Sequence, residues 1–208
     1  MPSPASLQLI QNPAAAAALL SPARLRILEL LESPDSASGL ARRLSLPRQQ
    51  VNYHLRELER EGFVELYEER RKGNCVERVV RAKARSYLLS PLVLGNLAAN
   101  PDHIADKFSA AYLLAQSART IRDLSVLSAR AQRQNKRIAT FSLQVDVRFA
   151  SAAHRHAFAE ELTNAVAALV TRYHDEHADG GRTFRFLVGA HPALARAEEA
   201  EPQNLTLE

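Results

Sequence analysis

Residues 35–63 read DSASGLARRLSLPRQQVNYHLRELEREGF and hold two helical patterns joined by a short turn. Asp35-Ser36 is a helix start signal, Pro47 opens the second pattern and Gly62 ends it. Apolar residues recur at helical spacing in both patterns: Leu40, Ala41 and Leu44, then Val51, Leu55 and Leu58. The sequence therefore predicts a short helix, a turn at Ser45-Leu46 and a longer helix that buries one face.

The opposite face of the longer helix is polar and basic. It carries the side chains of Arg48, Gln49, Gln50, Asn52, Tyr53, His54 and Arg56. Arginine can donate to guanine O6 and N7, and glutamine and asparagine can pair with adenine N6 and N7. Arg42 and Arg43, on the preceding helix, are placed to clamp phosphates. These residues are the candidate DNA contacts; a solvated helix face is the alternative interpretation.

A further helix precedes this pair, and two strands follow it. Ser21-Pro22 starts the helix, and the runs 63–68 and 76–82 are typical of strands. Between the runs lie Arg70, Arg71 and Lys72, followed by a Gly-Asn pair that suits a hairpin. This order of elements is the winged helix-turn-helix layout. We expect the basic wing tip to contact the DNA backbone or minor groove; the alternative is a tip that serves only solubility.

Residues 19–66, LLSPARLRILELLESPDSASGLARRLSLPRQQVNYHLRELEREGFVEL, resemble the ArsR-type winged helix-turn-helix regulators. Three patterns carry the resemblance: Ser-Pro-x-Arg-x-x-Ile-Leu, Leu-Ala-x-x-Leu and Val-Asn-Tyr-His-Leu-x-x-Leu-x-x-x-Gly-Phe-Val. The continuation ERRKGNCVERVVRA is similar to the family's wing, so the resemblance covers roughly residues 19–85. It implies a bacterial DNA-binding transcription regulator. The family's typical Ser-Arg-His-Leu is Asn-Tyr-His-Leu at residues 52–55, which implies different base or sugar contacts.

Metal-sensing members of that family carry cysteine pairs in the helix before the recognition helix. Here residues 38–43 read SGLARR, and Cys75 is the one cysteine of the sequence. A later predicted helix has His154 and His156 near its start and His174 and His177 at its end, and an i, i+3 histidine pair beside carboxylates can bind zinc or nickel. Histidine near a helix C-terminus is also favoured by the helix dipole alone. The sequence therefore predicts no metal site and no cofactor.

The rest of the chain predicts a long helix and a second domain. Residues 102–137 contain neither glycine nor proline and suit a helix that packs on its own copy. Strict alternation at 141–149 and a second run at 183–190 flank an amphipathic helix from residue 151 to about 178, which predicts a β-α-β unit. Two strands make a poor sheet in isolation, so this unit is expected to borrow strands or a helix from a second protomer.

These predictions together describe an α+β chain with an N-terminal winged helix-turn-helix, a long connecting helix and a C-terminal β-α-β unit for dimerisation or sensing. The predicted boundaries are 1–20 for an N-terminal extension that frays over its first 12 residues, 21–85 for the DNA-binding domain, 86–101 for a connector, 102–137 for the dimerisation helix, 138–192 for the β-α-β unit and 193–208 for a tail.

Composition narrows the class of function. The formal net charge is +4, which permits a polyanionic partner without requiring one. One cysteine fits a reducing cytoplasm, and no run is long and apolar enough for a membrane span. The sequence has seven glycines and lacks phosphate-loop, nucleophile-elbow and zinc-protease motifs, so no enzyme is predicted.

The sequence thus predicts a DNA-binding transcription regulator that acts as a homodimer on a pseudo-palindromic operator. The predicted partners are double-stranded DNA and a second copy, with an unidentified small-molecule effector as a third candidate. Two alternatives stay open at this point. One is a winged helix that binds protein, since Glu65, Glu68, Glu69 and Glu77 lie on the wing strands. The other is a DNA anchor fused to a C-terminal domain that binds or converts a small molecule.

Overall fold

The computed structural model, which describes residues 4–72 and 75–194, divides the chain into two units at Ile138. The first unit contains four short helices in succession. They are α1 (Pro13–Leu19), α2 (Pro22–Leu30), α3 (Ala37–Leu44) and α4 (Arg48–Arg60). Their apolar faces meet in one core, whose fully buried members include Ile27, Leu40, Val51, Leu58 and Phe63. The apolar residues that recur at helical spacing in the sequence are therefore the residues buried in the core.

Left-handed residues end the two helices of the helix-turn-helix pair. Ser45 has a φ of 55°, and the N–H of Leu46 donates back to the carbonyl of Ala41. At the end of α4, Gly62 has a φ of 78°; its N–H donates to Glu59 and the N–H of Phe63 donates to Leu58. This second pair of hydrogen bonds is a Schellman motif, which stops the helix and turns the chain into the wing.

Gly62 should resist substitution for a reason confined to the backbone. A Cβ there would meet no atom within 4 Å, so Gly62→Ala adds only the cost of holding alanine in the left-handed region. We expect about 1 kcal/mol lower free energy of unfolding by urea. For Gly62→Asn the free energy of unfolding should fall less, because asparagine adopts the left-handed conformation more readily than alanine. An equal or larger loss for asparagine would contradict this explanation.

The wing is a two-stranded antiparallel ribbon extended by a third, very short strand. Strand β3 (Val64–Lys72) pairs with β4 (Cys75–Ala82) from Val64 opposite Ala82 to Lys72 opposite Cys75, with an irregularity between Leu66 and Glu68. Strand β2 (Asp35–Ser36) pairs with β4, giving the order β2-β4-β3. The predicted hairpin residues Gly73 and Asn74 lie outside the described residues. The wing is therefore hydrogen-bonded to β2, the strand that leads directly into α3.

The N-terminal segment is part of this unit, which the sequence did not predict. Strand β1 (Gln8–Ile10) pairs in parallel with β5 (Tyr87–Leu89), and Ala5 forms a bridge with Ala84. Ile10 is 3% exposed, and α1 buries Ala15, Ala16, Ala18 and Leu19. The expectation of a frayed terminus over residues 1–12 is thus corrected for Gln8–Ile10, because the strand after the wing offers it hydrogen bonds.

The long helix is shorter than predicted. Two 3-10 segments, Pro91–Leu97 and Pro101–His103, come first, and α5 runs over Ala110–Arg133 rather than 102–137. Asp106 accepts a hydrogen bond from the N–H of Phe108, and Ser109 caps the helix by accepting from the N–H of Tyr112. These local acceptors compete with helical hydrogen bonds and delay the start of the helix.

The second unit, from residue 139 onwards, contains the predicted helix but not the predicted sheet. Helix α6 covers Ala152–Tyr173, capped by Ser151. The segments 141–149 and 183–190, both within the described residues, form no strand. The β-α-β unit is therefore not confirmed. The helix needs only local hydrogen bonds, whereas strands need partners.

Candidate nucleic-acid interface

The outward face of α4 presents most of the predicted contact residues. Val51, Leu55 and Leu58 are buried and fix the rotation of the helix about its axis. On the opposite side the side chains of Arg48, Gln49, Gln50, Tyr53 and Arg56 are exposed, and Asn52 is half-buried. From Arg48 to Arg56, α4 thus offers two guanidinium groups, three amides and a phenol.

Charge is distributed unevenly along α4. Its first turn has no acidic residue, and its N-cap, Pro47, makes no side-chain hydrogen bond to the free N–H groups. Within the described part of the chain, Arg48 and Arg56 form no ion pair. An uncapped helix N-terminus beside an unpaired arginine is suited to an anion.

The acidic residues of α4 lie in its second half and are neutralised by the chain itself. Arg60 binds Glu57 at 2.7 Å and Glu61 at 3.0 Å. Arg78, on β4, binds Glu59 at 2.7 Å. The hydrogen bond that Arg78 donates to Glu59 raises the pKa of Arg78. The hydrogen bond that Arg60 donates to Glu61, and then the negative charge of Glu57, raise the pKa of Arg60. The two unpaired arginines of α4, Arg48 and Arg56, therefore both precede its acidic residues along the chain.

The two arginines of α3 differ. Arg42 is exposed and has no ion pair within the described residues. Arg43 donates to the carbonyl of Leu30 at 3.3 Å and lies 3.5 Å from the Asp35 carboxylate. Arg43 is therefore partly occupied in holding α3 to the preceding helix, while Arg42 stays available to a partner.

The tip of the wing also contains one paired and one unpaired arginine. Arg70 forms an ion pair with Glu68, two residues away on β3. Arg71 is exposed and has no ion pair within the described residues, and the side chain of Lys72 lies outside them. Further down the wing, Arg81 binds Glu65 at 2.6 Å and lies over the ring of Tyr67.

His54 is not presented outward, although its position in the sequence placed it among the contact residues. Its ring nitrogens Nδ1 and Nε2 are buried and have no hydrogen-bond partner within the described part of the chain. The ring packs edge-on against Tyr53. Burial, and then the positive charge of Arg24 on α2, lower the pKa of His54. His54 therefore presents no hydrogen-bonding atom to DNA in this structure, and its predicted contact is not among those that the geometry favours.

The lowered pKa of His54 predicts a pH dependence of stability. The unfolded chain binds a proton near the ordinary pKa of 6.5 while the folded chain does not. Stability is therefore full above pH 6.5 and falls as the pH drops below it, towards the folded-state pKa. His54→Leu removes this contribution, so the difference in unfolding free energy between wild type and variant should change between pH 7.5 and 5. A difference independent of pH would contradict it.

A matched family model identifies the segment that holds this surface. Residues 19–67 match the model described as a helix-turn-helix domain. This segment is a helix-turn-helix domain. The resemblance to ArsR-type winged helix-turn-helix regulators is confirmed for the N-terminal part of the chain. With the ribbon that follows it, the segment makes a winged helix-turn-helix domain.

Several solved structures are similar over part of the chain. A possible transcriptional regulatory protein from Mycobacterium bovis (fragment 1-100) is 25% identical, with 34% of this chain and 72% of that chain covered and a TM-score of 0.29. Reduced HlyU from Vibrio cholerae is 25% identical, with 35% of this chain and 72% of that chain covered and a TM-score of 0.29. A homodimeric winged helix-turn-helix DNA-binding domain from Mycobacterium bovis, a possible ArsR-family regulator, is 16% identical. The match covers 61% of this chain and 85% of that chain, with a TM-score of 0.29. These TM-scores are too low to establish a shared overall fold. No curated protein matches the chain.

The winged domain adds two residues that the sequence did not single out. A cavity of about 140 Å³ opens between the start of α3, α4 and β4, lined by Ala37, Ser38, Arg48, Asn52, Val76, Glu77 and Arg78. It places Ser38 and Arg78 beside Arg48. Neither could be found from helical spacing, since only the fold of β4 against α4 brings Arg78 to this side.

No described helix is both long and apolar enough to span a bilayer. Among the same residues, histidine, cysteine, aspartate and glutamate side chains form no group of three or more that could hold a metal ion.

Proposed function

We propose that this chain is a sequence-specific DNA-binding transcription regulator that acts as a homodimer on a pseudo-palindromic operator. The observation that carries the proposal is the face of α4: an acid-free first turn with Arg48 and Arg56 exposed and unpaired among the described residues. A surface that needed only solubility would not require its acids to be withdrawn to one end and neutralised.

Each exposed residue of α4 has a role that fits its position. Arg48, Gln49 and Gln50 lie in the first turn, which a recognition helix presents to base edges in the major groove. Tyr53 follows one turn later and can donate to a phosphate. Arg56 lies beyond it, where a guanidinium would meet the sugar-phosphate backbone. Arg42, on α3, supplies a further phosphate contact.

Self-association is the second part of the proposal. Helix-turn-helix domains read two half-sites as dimers, with one domain on each half-site. Helix α5 leaves Leu114, Leu124 and Leu127 exposed, and the second unit leaves a much larger apolar surface exposed. Surfaces of this kind on a small protein are typical of interfaces. We therefore assign dimerisation to α5 and the second unit.

A salt titration tests the proposal. The full-length chain is offered duplexes selected from a random pool, and binding is followed by fluorescence anisotropy between roughly 50 and 200 mM salt. Counterion release predicts a steep linear fall of log K with log salt, and selected sequences should show two-fold symmetry. Weak binding that is insensitive to salt, or no enrichment of any sequence, would reject a DNA-binding function.

Arg71→Ala supplies a prediction for the wing. Because this exposed arginine has no ion pair among the described residues, its removal should weaken binding to all duplexes alike and reduce the salt slope by about 1. Arg70→Ala is the control, since Arg70 is already paired with Glu68 and should change the slope less. A loss confined to one base pair would instead place Arg71 at a base edge.

The wing offers little support for a protein-binding role. Three of the four acidic residues that would favour a basic protein partner are engaged within the chain: Glu65 by Arg81, Glu68 by Arg70 and Glu77 by the hydroxyl of Ser36. Glu69 is exposed. We therefore favour DNA as the partner of the winged domain.

A further inference from the structure

We propose that residues 145–149, within the segment 141–149, pair antiparallel with residues 145–149 of a second copy, centred on Val147, and so form the middle of an intermolecular sheet. The inference deepens the proposed homodimer and rests on it. It commits to one partner, a second copy of this chain, and to one register.

The second unit lacks a core of its own. Over residues 139–194 every described residue is exposed except Phe149 and Val166, which are half-buried. Helix α6 has no buried residue over its 22 residues. Ordering a chain of this length costs on the order of 1 kcal/mol or more per residue, and burial of apolar surface must offset that cost. The unit therefore requires a partner to cover it.

Strict alternation gives the segment 141–149 two different faces. The apolar face is formed by Phe141, Leu143, Val145, Val147 and Phe149, and the polar face by Ser142, Gln144, Asp146 and Arg148. The first four apolar side chains are 78%, 79%, 68% and 45% exposed. The ring of Phe149 packs against Phe158 of α6, with centroids 5.3 Å apart. The apolar face thus meets α6 at one end and is uncovered along the rest.

Charge selects the register of self-pairing. In an antiparallel pair centred on Val147, Asp146 of each copy lies directly opposite Arg148 of the other copy. Directly opposed opposite charges stabilise a strand pair. Centring on Asp146 would place the two aspartates opposite each other, and centring on Val145 would place Arg148 opposite Ser142. The Val147 register is the one of these three that forms two symmetric ion pairs while keeping the apolar residues on one face.

The pairing also accounts for the missing strands of the single chain. A strand of nine residues with no neighbour leaves its backbone N–H and carbonyl groups unpaired. The segment 183–190 could supply only one edge, and two strands are marginal by themselves. A central antiparallel pair from two copies, with each 183–190 segment outside it, would give four strands with both α6 helices on one face.

A charge swap tests the register in the full-length chain. Sedimentation equilibrium gives the dimer dissociation constant of wild type, Asp146→Arg, Arg148→Asp and the double variant. Each single reversal creates two like-charge pairs and should raise the dissociation constant about 10- to 30-fold. The double variant restores both pairs with exchanged partners and should return to within about 3-fold of wild type. Asp179→Arg, an equal change of charge in the exposed loop after α6, is the control.

Three results would overturn the pairing: a monomeric wild type, single reversals that leave the dissociation constant unchanged, or a double variant as weak as the singles. Pairing of 141–149 with 183–190 of the same chain would produce the second of these. Far-UV circular dichroism verifies that each variant is folded. DNA binding measured on the same samples separates the two proposals, because a chain that binds DNA as a dimer indifferent to these reversals keeps its function and loses only this interface.

Discussion

Replacement of Phe63 by alanine is expected to lower the free energy of unfolding by about 3–5 kcal/mol. Phe63 has no exposed surface and is the largest of the fully buried side chains. Its ring packs edge-on against Tyr87 at 5.4 Å between centroids. Its backbone also ends α4 and accepts a hydrogen bond from the N–H of Lys83. The cavity left by alanine would therefore lie at the joint between the helices, the wing and β5.

Urea unfolding followed by circular dichroism measures the effect. Leu66→Ala is the matched control, because Leu66 lies on the same strand but is 41% exposed. Its loss should stay below about 1 kcal/mol. Equal losses at the two positions would mean that Phe63 is not part of the core described here.

Reversing the charge of Arg48 should produce the largest loss of DNA affinity among single surface changes. Arg48→Glu removes an unpaired guanidinium at the start of α4 and places a carboxylate where base edges and phosphates are expected. At about 0.1 M salt we expect affinity for the selected duplex to fall on the order of 100-fold. Anisotropy titrations at fixed salt measure the change.

The control for Arg48 is Arg60→Glu, which makes the same change of net charge on the same helix. Arg60 lies at the far end of α4 and is bound by Glu57 and Glu61. Its reversal should reduce affinity only through the general field of the protein, by less than about 10-fold. If the two variants bind equally weakly, the assignment of the α4 face is wrong and only net charge matters.

Helical periodicity was enough to predict α3, the turn at Ser45-Leu46 and α4. That signal is local, since Val51, Leu55 and Leu58 recur within three turns. It could not tell which part of the polar face would be covered, so His54 was placed outward with its neighbours. The sequence shows on which face of a helix a residue lies, but it does not show which other element packs against that face.

Pairing between segments far apart in the chain was the second feature that the sequence could not predict. Strand β1 is three residues long, and its partner β5 lies almost eighty residues away, so no periodicity marks it. Arg78 reaches the cavity beside Arg48 for the same kind of reason, because its position depends on the ladder between β3 and β4. In the second unit the alternation of 141–149 predicts a strand, which the structure does not show, because a pattern does not supply the neighbouring strand that makes a sheet.

The parallel pairing of β1 with β5 changes where the winged domain can be cut. A fragment begun at Ser21, the boundary that the sequence suggests, would discard Ile10 and Leu19 and leave Tyr87–Leu89 with an open edge. The shortest fragment that folds by itself must therefore start ahead of Gln8 and extend past Leu89, so that the strands at its two ends can pair with each other. Any partner fused ahead of Ala5 would then join the domain beside Ala84, on the side where the chain leaves the wing.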